Sequence, residues 1–369
     1  MLARVFPFHI LDVHFSHSIG TVFVSFLTNT TILNIQSLAD IVTWRMSDAT
    51  KYALEDSLAE LQWNDKDNVH HTKNFIQDAK DVMLPYIAKD DNLQRILGDL
   101  VADGRRGTAS TSIDAIVLEN LPMDPYVPPT PTDESVKSLH KPTYVAEAVL
   151  LAIGELAGTY TVGYKAETEY SSPWVHEGFP RLGPGGSALT STAGINHHQD
   201  MSYQGIIPDL LGLVCLREGD DLDVQTTLLS IDTLIQRLPE HVVSILSQDR
   251  FKITASAQWV DIGAVGEDIV KTRAILDGTS LHLPVNWENM VGVDPEASQA
   301  IETLRQVLWD AKPLGVHLRD GVMVLFNNQK VVHGRTEYQN LKYDGRDRVV
   351  IRSYFVKHLD EAEMESRML

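Results

Sequence analysis

The sequence predicts a mainly β protein with helical cover, built as a sandwich or jelly roll. Three observations carry this. Candidate helices gather in the first part of the chain. Short β-rich segments separated by turns dominate after residue 205. Strands do not alternate with helices in βαβ fashion, which disfavours a Rossmann arrangement.

Each element has a local reason. Residues 49–102 are expected to be helical: Leu54, Leu58 and Leu61 recur at helix spacing, as do Phe75, Ala79, Val82 and Met83. Ser47 and Asp48 offer caps before this run. "SIDAIVLENLP" (112–122) reads as a strand, and the proline-rich "DPYVPPTPTDESV" (124–136) as an extended linker. "TYVAEAVLLAIGELAG" (143–158) is an apolar helix stopped by Gly158. "SSPWVHEGFPRLGPGGS" (171–187) is rich in Gly and Pro and reads as a long irregular loop, either a lid or a mobile insertion. Helices are expected around 226–248 and 295–311. "GVMVLFNNQKVVHG" (321–334) reads as a hairpin about Asn327-Asn328, and "YDGRDRVVIRSYFVK" (343–357) as a turn at Asp344-Gly345 followed by a strand.

Composition bounds the rest. The chain has 369 residues, of which 43% are apolar and 22% charged, as in ordinary globular proteins. This is enough for one large domain. Residues 1–45 are set apart as an N-terminal extension, apolar but broken by His9, Asp12, His14 and His17; 46–369 reads as a single domain, helical to 111 with its β core at about 112–357. The net charge of −19 repels phosphate backbones, so nucleic acid is not an expected partner. No stretch of about 18 apolar residues predicts a membrane span. The lone cysteine, Cys215, lies in apolar "LLGLVCLRE" and reads as a buried structural thiol; a cytoplasmic setting is expected.

The chemistry-bearing stretch is "GINHHQDMSYQ" (194–204). A histidine and a carboxylate at i and i+2, as in His198-Gln199-Asp200, can both reach one ion. The spacing alone is weak: chance composition predicts such pairs, and His358/Asp360 has the same spacing, so spacing cannot separate site from accident. A third candidate is His333, placed by "VVHGRT" at a strand end. Two histidines and one carboxylate leave coordination positions open, which suits non-haem Fe(II). The same donors also suit zinc. Arg348 and Arg352 in "DRVVIRSYF" share a strand face with Val350 and Tyr354, roughly 13 Å apart. That face is either a solvated edge or a pair of forks for two carboxylates. No P-loop, G-x-G-x-x-G after a strand, C-x-x-C or G-x-S-x-G is present.

"HHQDMSY…PDLLGLVCLREGD…QTTLL" followed by "NNQKVVHGRTEY…KYDGRDRVVIRSYF" resembles the clavaminate synthase-like group of Fe(II)/2-oxoglutarate oxygenases, related to taurine dioxygenase. The likeness extends over about residues 112–357. "IVLENLPMD…VPPTPT" and "AVLLAIGELAG" also look like the group's N-terminal part. The resemblance implies a double-stranded β-helix (jelly roll) core. It implies His198, Asp200 and His333 as iron ligands, Arg348 and Thr226 on the distal carboxylate of 2-oxoglutarate, and Arg352 on the carboxylate of the primary substrate. With O2, such enzymes convert 2-oxoglutarate to succinate and carbon dioxide and hydroxylate an unactivated carbon, often of a free L-amino acid. The same site in relatives also desaturates or closes rings. Asp200 stands where amino acid hydroxylases of the group often carry Glu; both are iron ligands. A carboxylate there argues against halogenation.

For the substrate, Trp174, His176 and Glu177 in the lid-like loop are candidates to read a side chain, against a plain loop role. Ser187, Ser191 and Thr192 are candidates for an α-amino group. Members that bind basic side chains place acidic residues where this chain has "ILDGTSLHLPVNWENMVG" (275–292), with only Asp277 and Glu288, so an arginine substrate is not favoured. A reading from another class is a zinc-bound or metal-free small-molecule binding protein on the same barrel.

Overall fold

The computed structural model describes residues 40–102, 113–132, 136, 138–164, 172–181, 192–202, 206–253, 272–278 and 280–359. All belong to one compact unit, Leu38–Leu369. In chain order they form β1 (Ile41–Arg45), α1 (Asp48–Ala59), α2 (Val69–Ile87), α3 (Asp91–Val101), β2 (Ala115–Glu119), α4 (Val145–Leu156), β3 (Tyr160–Val162), β4 (His176–Gly178), β5 (Ile195–His198), β6 (Leu210–Arg217) and β7 (Thr226–Ser230). There follow α5 (Ile231–Ile235), α6 (Glu240–Leu246), β8 (Phe251–Ile253), β9 (Leu276–Asp277), β10 (Ser280–Leu281), β11 (Met290–Gly292), α7 (Pro295–Asp310), β12 (Leu314–Val316), β13 (Met323–Asn327), β14 (Val331–Arg335) and β15 (Val349–Val356).

Two sheets carry the architecture. One has seven strands in the order β1-β2-β13-β6-β15-β3, with β4 also paired to β15; the other runs β12-β7-β14-β5. Burial alternates along the strands of the larger sheet. Val349, Ile351 and Phe355 face a core shared with α1–α4, while Val350 and Tyr354 face a core shared with Leu228, Val316 and Val331 of the smaller sheet. The outer face of the smaller sheet, through Leu229 and Val332, packs on α5, α6 and α7. The result is helices, sheet, sheet and helices in layers, with the central strands of both sheets buried on both faces.

The early helices lie where their spacing predicts. Ser47 caps α1 by accepting from the Thr50 amide at 3.1 Å. In α4, Gly154 touches the Phe355 ring; a Cβ there would sit 2.1 Å from it, so only glycine lets the helix lie this close to β15. The proline-rich linker is pinned to the same helix. Asp124 accepts from the amides of Val145 and Ala146, and Lys141 Nζ lies between Asp124 (2.5 Å) and Glu147 (2.7 Å), all buried.

Four expectations are corrected. Residues 41–45, assigned to the extension, form β1, paired in parallel with β2 from Ile41↔Ala115 to Arg45↔Glu119. The helix expected from 226 begins only at Ile231, and Thr226–Ser230 is a strand between β12 and β14. A short apolar run buried on both faces reads the same in either conformation. The 321–334 stretch is not a hairpin: β13 pairs with β2 and β6, β14 with β7 and β5, so Asn327-Asn328 carries the chain from one sheet to the other. Residues 173–180 are not a surface lid but a buried segment whose His176–Gly178 adds to β15; the rest of that loop, 182–187, lies outside the described residues. The turn at Gly345 (φ 90°) and the strand after it are as expected.

Candidate metal centre

His198, Asp200 and His333 converge. Each offers one ligand atom, all within 4.8 Å of one another, and all three residues are buried. The histidines come from facing strands: β5 and β14 pair antiparallel with His333 opposite His198 and their rings 4.2 Å apart. Gly334 makes the close pairing possible, since a Cβ there would lie 2.5 Å from the Ile195 carbonyl. Strand alternation turns the neighbouring His197 away from this cluster.

Asp200 sits just beyond β5, and its backbone is clamped by Asn328. The Asp200 amide donates to Asn328 Oδ1 at 3.2 Å, and Asn328 Nδ2 donates back to the Asp200 carbonyl at 3.1 Å. Gln199 adds bonds to Ser280 Oγ and the Asn328 carbonyl. Sequence reasoning treated Asn328 as a turn residue and missed this clamp; its only signal was a second asparagine, and neither asparagine takes a positive φ.

The donor chemistry fits a divalent metal. His198 Nδ1 lies 2.8 Å from the Asn196 carbonyl, which can only accept, so Nδ1 carries the proton and Nε2 presents a lone pair. That lone pair faces Asp200 Oδ1 at 3.0 Å, and His333 Nε2 is 3.8 Å from the same oxygen. Two imidazole nitrogens and a carboxylate oxygen turned toward one another in a buried site are a donor set that a divalent cation would satisfy. Burial, then His198, holds the His333 imidazole well below its ordinary pKa, in the neutral form a metal requires. Burial opposes ionisation of Asp200, but Arg352 and the histidines outweigh it and keep the carboxylate charged.

Arg348, just before β15, and Arg352, on it, line the same pocket beside His198 and His333, together with Thr226 and Val350. Arg348 is 3% exposed, and its Nε and Nη1 have no hydrogen-bond partner among the described residues. Two buried donors of a planar fork aimed into a pocket fit a carboxylate. Thr226, rather than Thr227, lines the pocket. Arg352 Nη1 donates to Asp200 Oδ2 at 3.0 Å, and Nη2 lies 2.9 Å from His176 Nδ1. Arg335 and Tyr338, which the sequence did not single out, also line the pocket, with the guanidinium 4.3 Å from the Tyr338 ring centroid.

Other candidates fall elsewhere. Trp174, expected to read a substrate side chain, is 2% exposed in the core between α1–α4 and the larger sheet, and is not among the pocket residues. Glu177 is turned toward Ser138 and Leu139, whose hydroxyl and amide it accepts at 3.1 and 2.6 Å. Asp277 and Glu288 are exposed. Thr192 accepts from the Tyr338 amide through its carbonyl. Ser187 and Ser191 lie outside the described residues.

Stacked sheets that gather two histidines, a carboxylate and a buried arginine fork around one pocket define the class of metal-dependent dioxygenases. The profile of the taurine catabolism dioxygenase TauD, TfdA family matches residues 145–354, and the chain belongs to this family. It is thus an oxidoreductase of the dioxygenase type. Enduracididine beta-hydroxylase of Streptomyces hygroscopicus is 26% identical over 290 residues, 71% of this chain and 82% of that one. Clavaminate synthase 2 of Streptomyces clavuligerus is 28% identical over 246 residues, 65% and 73% of the two chains. Among solved structures, asparagine oxygenase in complex with Fe(II), 2S,3S-3-hydroxyasparagine and succinate superposes with a TM-score of 0.68 at 20% identity, covering 86% of this chain and 93% of that one. The non-heme iron oxygenase OrfP with Fe and alpha-ketoglutaric acid gives 0.69 at 19% identity, covering 88% and 97%. No helix among the described residues is long and apolar enough to cross a membrane.

Proposed function

We propose that this protein is an Fe(II)- and 2-oxoglutarate-dependent dioxygenase that hydroxylates an unactivated carbon of a free L-amino acid or a close derivative. The observation that carries the reading is the convergence of His198, Asp200 and His333 beside the buried fork of Arg348. The two sheets are read as the halves of a jelly roll, and residues from Ile41 onward as one oxygenase domain. Relatives named for hydroxylating enduracididine, asparagine (an oxygenase) and lysine support an amino acid substrate.

In this reading His198, Asp200 and His333 would hold iron. Bound there with 2-oxoglutarate and O2, iron supplies oxidative decarboxylation to succinate and the oxidising power for C–H cleavage. The chain's own residues do the rest. Arg348, with Thr226 beside it, holds the distal carboxylate of 2-oxoglutarate and so sets its angle in the pocket. Arg352 neutralises the outer oxygen of Asp200 and faces the substrate carboxylate. Leu213 and Val350 line the same pocket and keep water from the reacting carbon.

The test is a panel of free amino acids with Fe(II), ascorbate and 2-oxoglutarate, read by product mass. A substrate-dependent gain of one oxygen atom with matching succinate is expected. Metal binding without 2-oxoglutarate turnover on any carboxylate-bearing substrate overturns the proposal in favour of a binding protein.

A further inference from the structure

His176 stands directly opposite Arg352 in the β4–β15 pairing, one register step from Ile351↔Glu177. It is fully buried, and its ring packs edge-on against Tyr354 at 5.4 Å. Arg352 also lies over Tyr354, its guanidinium carbon 4.8 Å from that ring centroid. Among the described residues the guanidinium meets the Tyr354 ring, His176 Nδ1 at 2.9 Å and Asp200 Oδ2 at 3.0 Å. An arginine has only N–H donors, so His176 Nδ1 must be the acceptor of that bond, and the imidazole presents a lone pair to the cation. The two oxygens of Asp200 are divided in turn, Oδ1 toward His198 and His333, Oδ2 toward Arg352.

We propose that His176 is a positioning residue: its Nδ1 holds the guanidinium of Arg352 at the one place where it can serve both the outer oxygen of Asp200 and the carboxylate of the amino acid substrate. His176 does not itself touch the substrate. This rests on the reading of the site given above. Three consequences follow physically. The planar fork has five donors at fixed angles, so it can bind two carboxylates at once only when its plane is set. An unbranched arginine side chain has several rotatable bonds and would otherwise spread over many rotamers. A carboxylate in place of this imidazole would compete with the substrate for the same cation.

The test compares His176→Leu with His176→Gln, which keeps an acceptor oxygen. In the iron-loaded enzyme, His176→Leu raises KM for the amino acid about tenfold or more, the loss expected for one charge-assisted bond, while KM for 2-oxoglutarate is unchanged. His176→Gln recovers most of that loss. Equal increases in both KM values, no increase in either, or a glutamine variant as impaired as the leucine variant would each overturn the proposal. An arm that needs no substrate is the crystal structure of His176→Leu: Arg352 is expected to leave Asp200, and an unmoved Arg352 defeats the idea. Should no amino acid be turned over by the unaltered enzyme, the substrate reading fails and this second arm still judges the role of His176. If His176→Leu does not fold, His176→Asn, whose shorter amide falls short of Arg352, takes its place in both arms.

Discussion

His198 and His333 are cross-strand partners, opposite one another on β5 and β14 with ring centroids 4.2 Å apart. Two imidazoles held this close in a buried site repel if both are protonated, and neither gains much from the other if both are neutral. Asp200 lies against both rings, so the three side chains offer one ligand atom each within 4.8 Å of one another.

Replacing His333 with Ala is expected to lower divalent-metal affinity by about 100-fold or more, since one of three protein donors is lost. Substrate-dependent succinate formation should vanish. Anaerobic Co(II) or Fe(II) titration measures the first and coupled succinate assay the second. Full turnover in this variant would sink the site assignment.

Arg348→Lys tests the fork. A lysine ammonium keeps the charge but cannot grip a carboxylate through two donors. KM for 2-oxoglutarate should rise about 10- to 100-fold, from loss of a bond of about 1.5–3 kcal/mol, with metal affinity unaltered. A KM equal to that of the unaltered enzyme would remove Arg348 from 2-oxoglutarate binding.

Lys141 gives a pH prediction far from the site. Burial pulls its ammonium pKa down, but Glu147 and Asp124 outweigh this, and the net shift is upward from 10.5. The folded state thus binds the proton more tightly than the unfolded chain. Its contribution is fully present below about pH 10.5 and lost as pH rises through the folded value. Lys141→Met leaves two buried carboxylates without their cation and should cost about 3–5 kcal/mol at pH 7. Chemical denaturation from pH 7 to 11 should show that deficit constant at first and shrinking only at the alkaline end.

Cys215 should be silent toward thiol reagents. It is fully buried on β6, and burial pushes its thiol up to about 12. Reaction with a disulfide reagent at pH 8 is expected only on unfolding. Fast labelling of the native protein would show that β6 opens.

Much of this was legible along the chain. The early helices were readable because 3.6-residue periodicity survives in sequence, as in Leu54 and Leu58, both fully buried. That Arg348, Val350 and Arg352 line one pocket was readable because an extended chain sends alternate side chains to the same side. Legibility failed where one composition serves two structures. Thr226–Ser230 is apolar enough for a helix or a doubly buried strand. The turn residues at 327–328 say that the chain reverses but not which sheet it enters. Trp174 and Glu177 looked like loop residues because glycines and prolines surround them, whereas a buried strand, β4, runs through the same stretch.

By itself the sequence determined the donor types, the helical cover and the family motif, since these depend on residue identity and short-range period. Only the tertiary structure decided that His176 lies against Arg352, that Asn328 clamps Asp200, and that Thr226 rather than Thr227 lines the pocket. Those relations are set by strand register between segments far apart in the chain, and a shift of one residue would exchange every face. Nothing local in the chain encodes that register; it follows from burying both faces of the central strands at once.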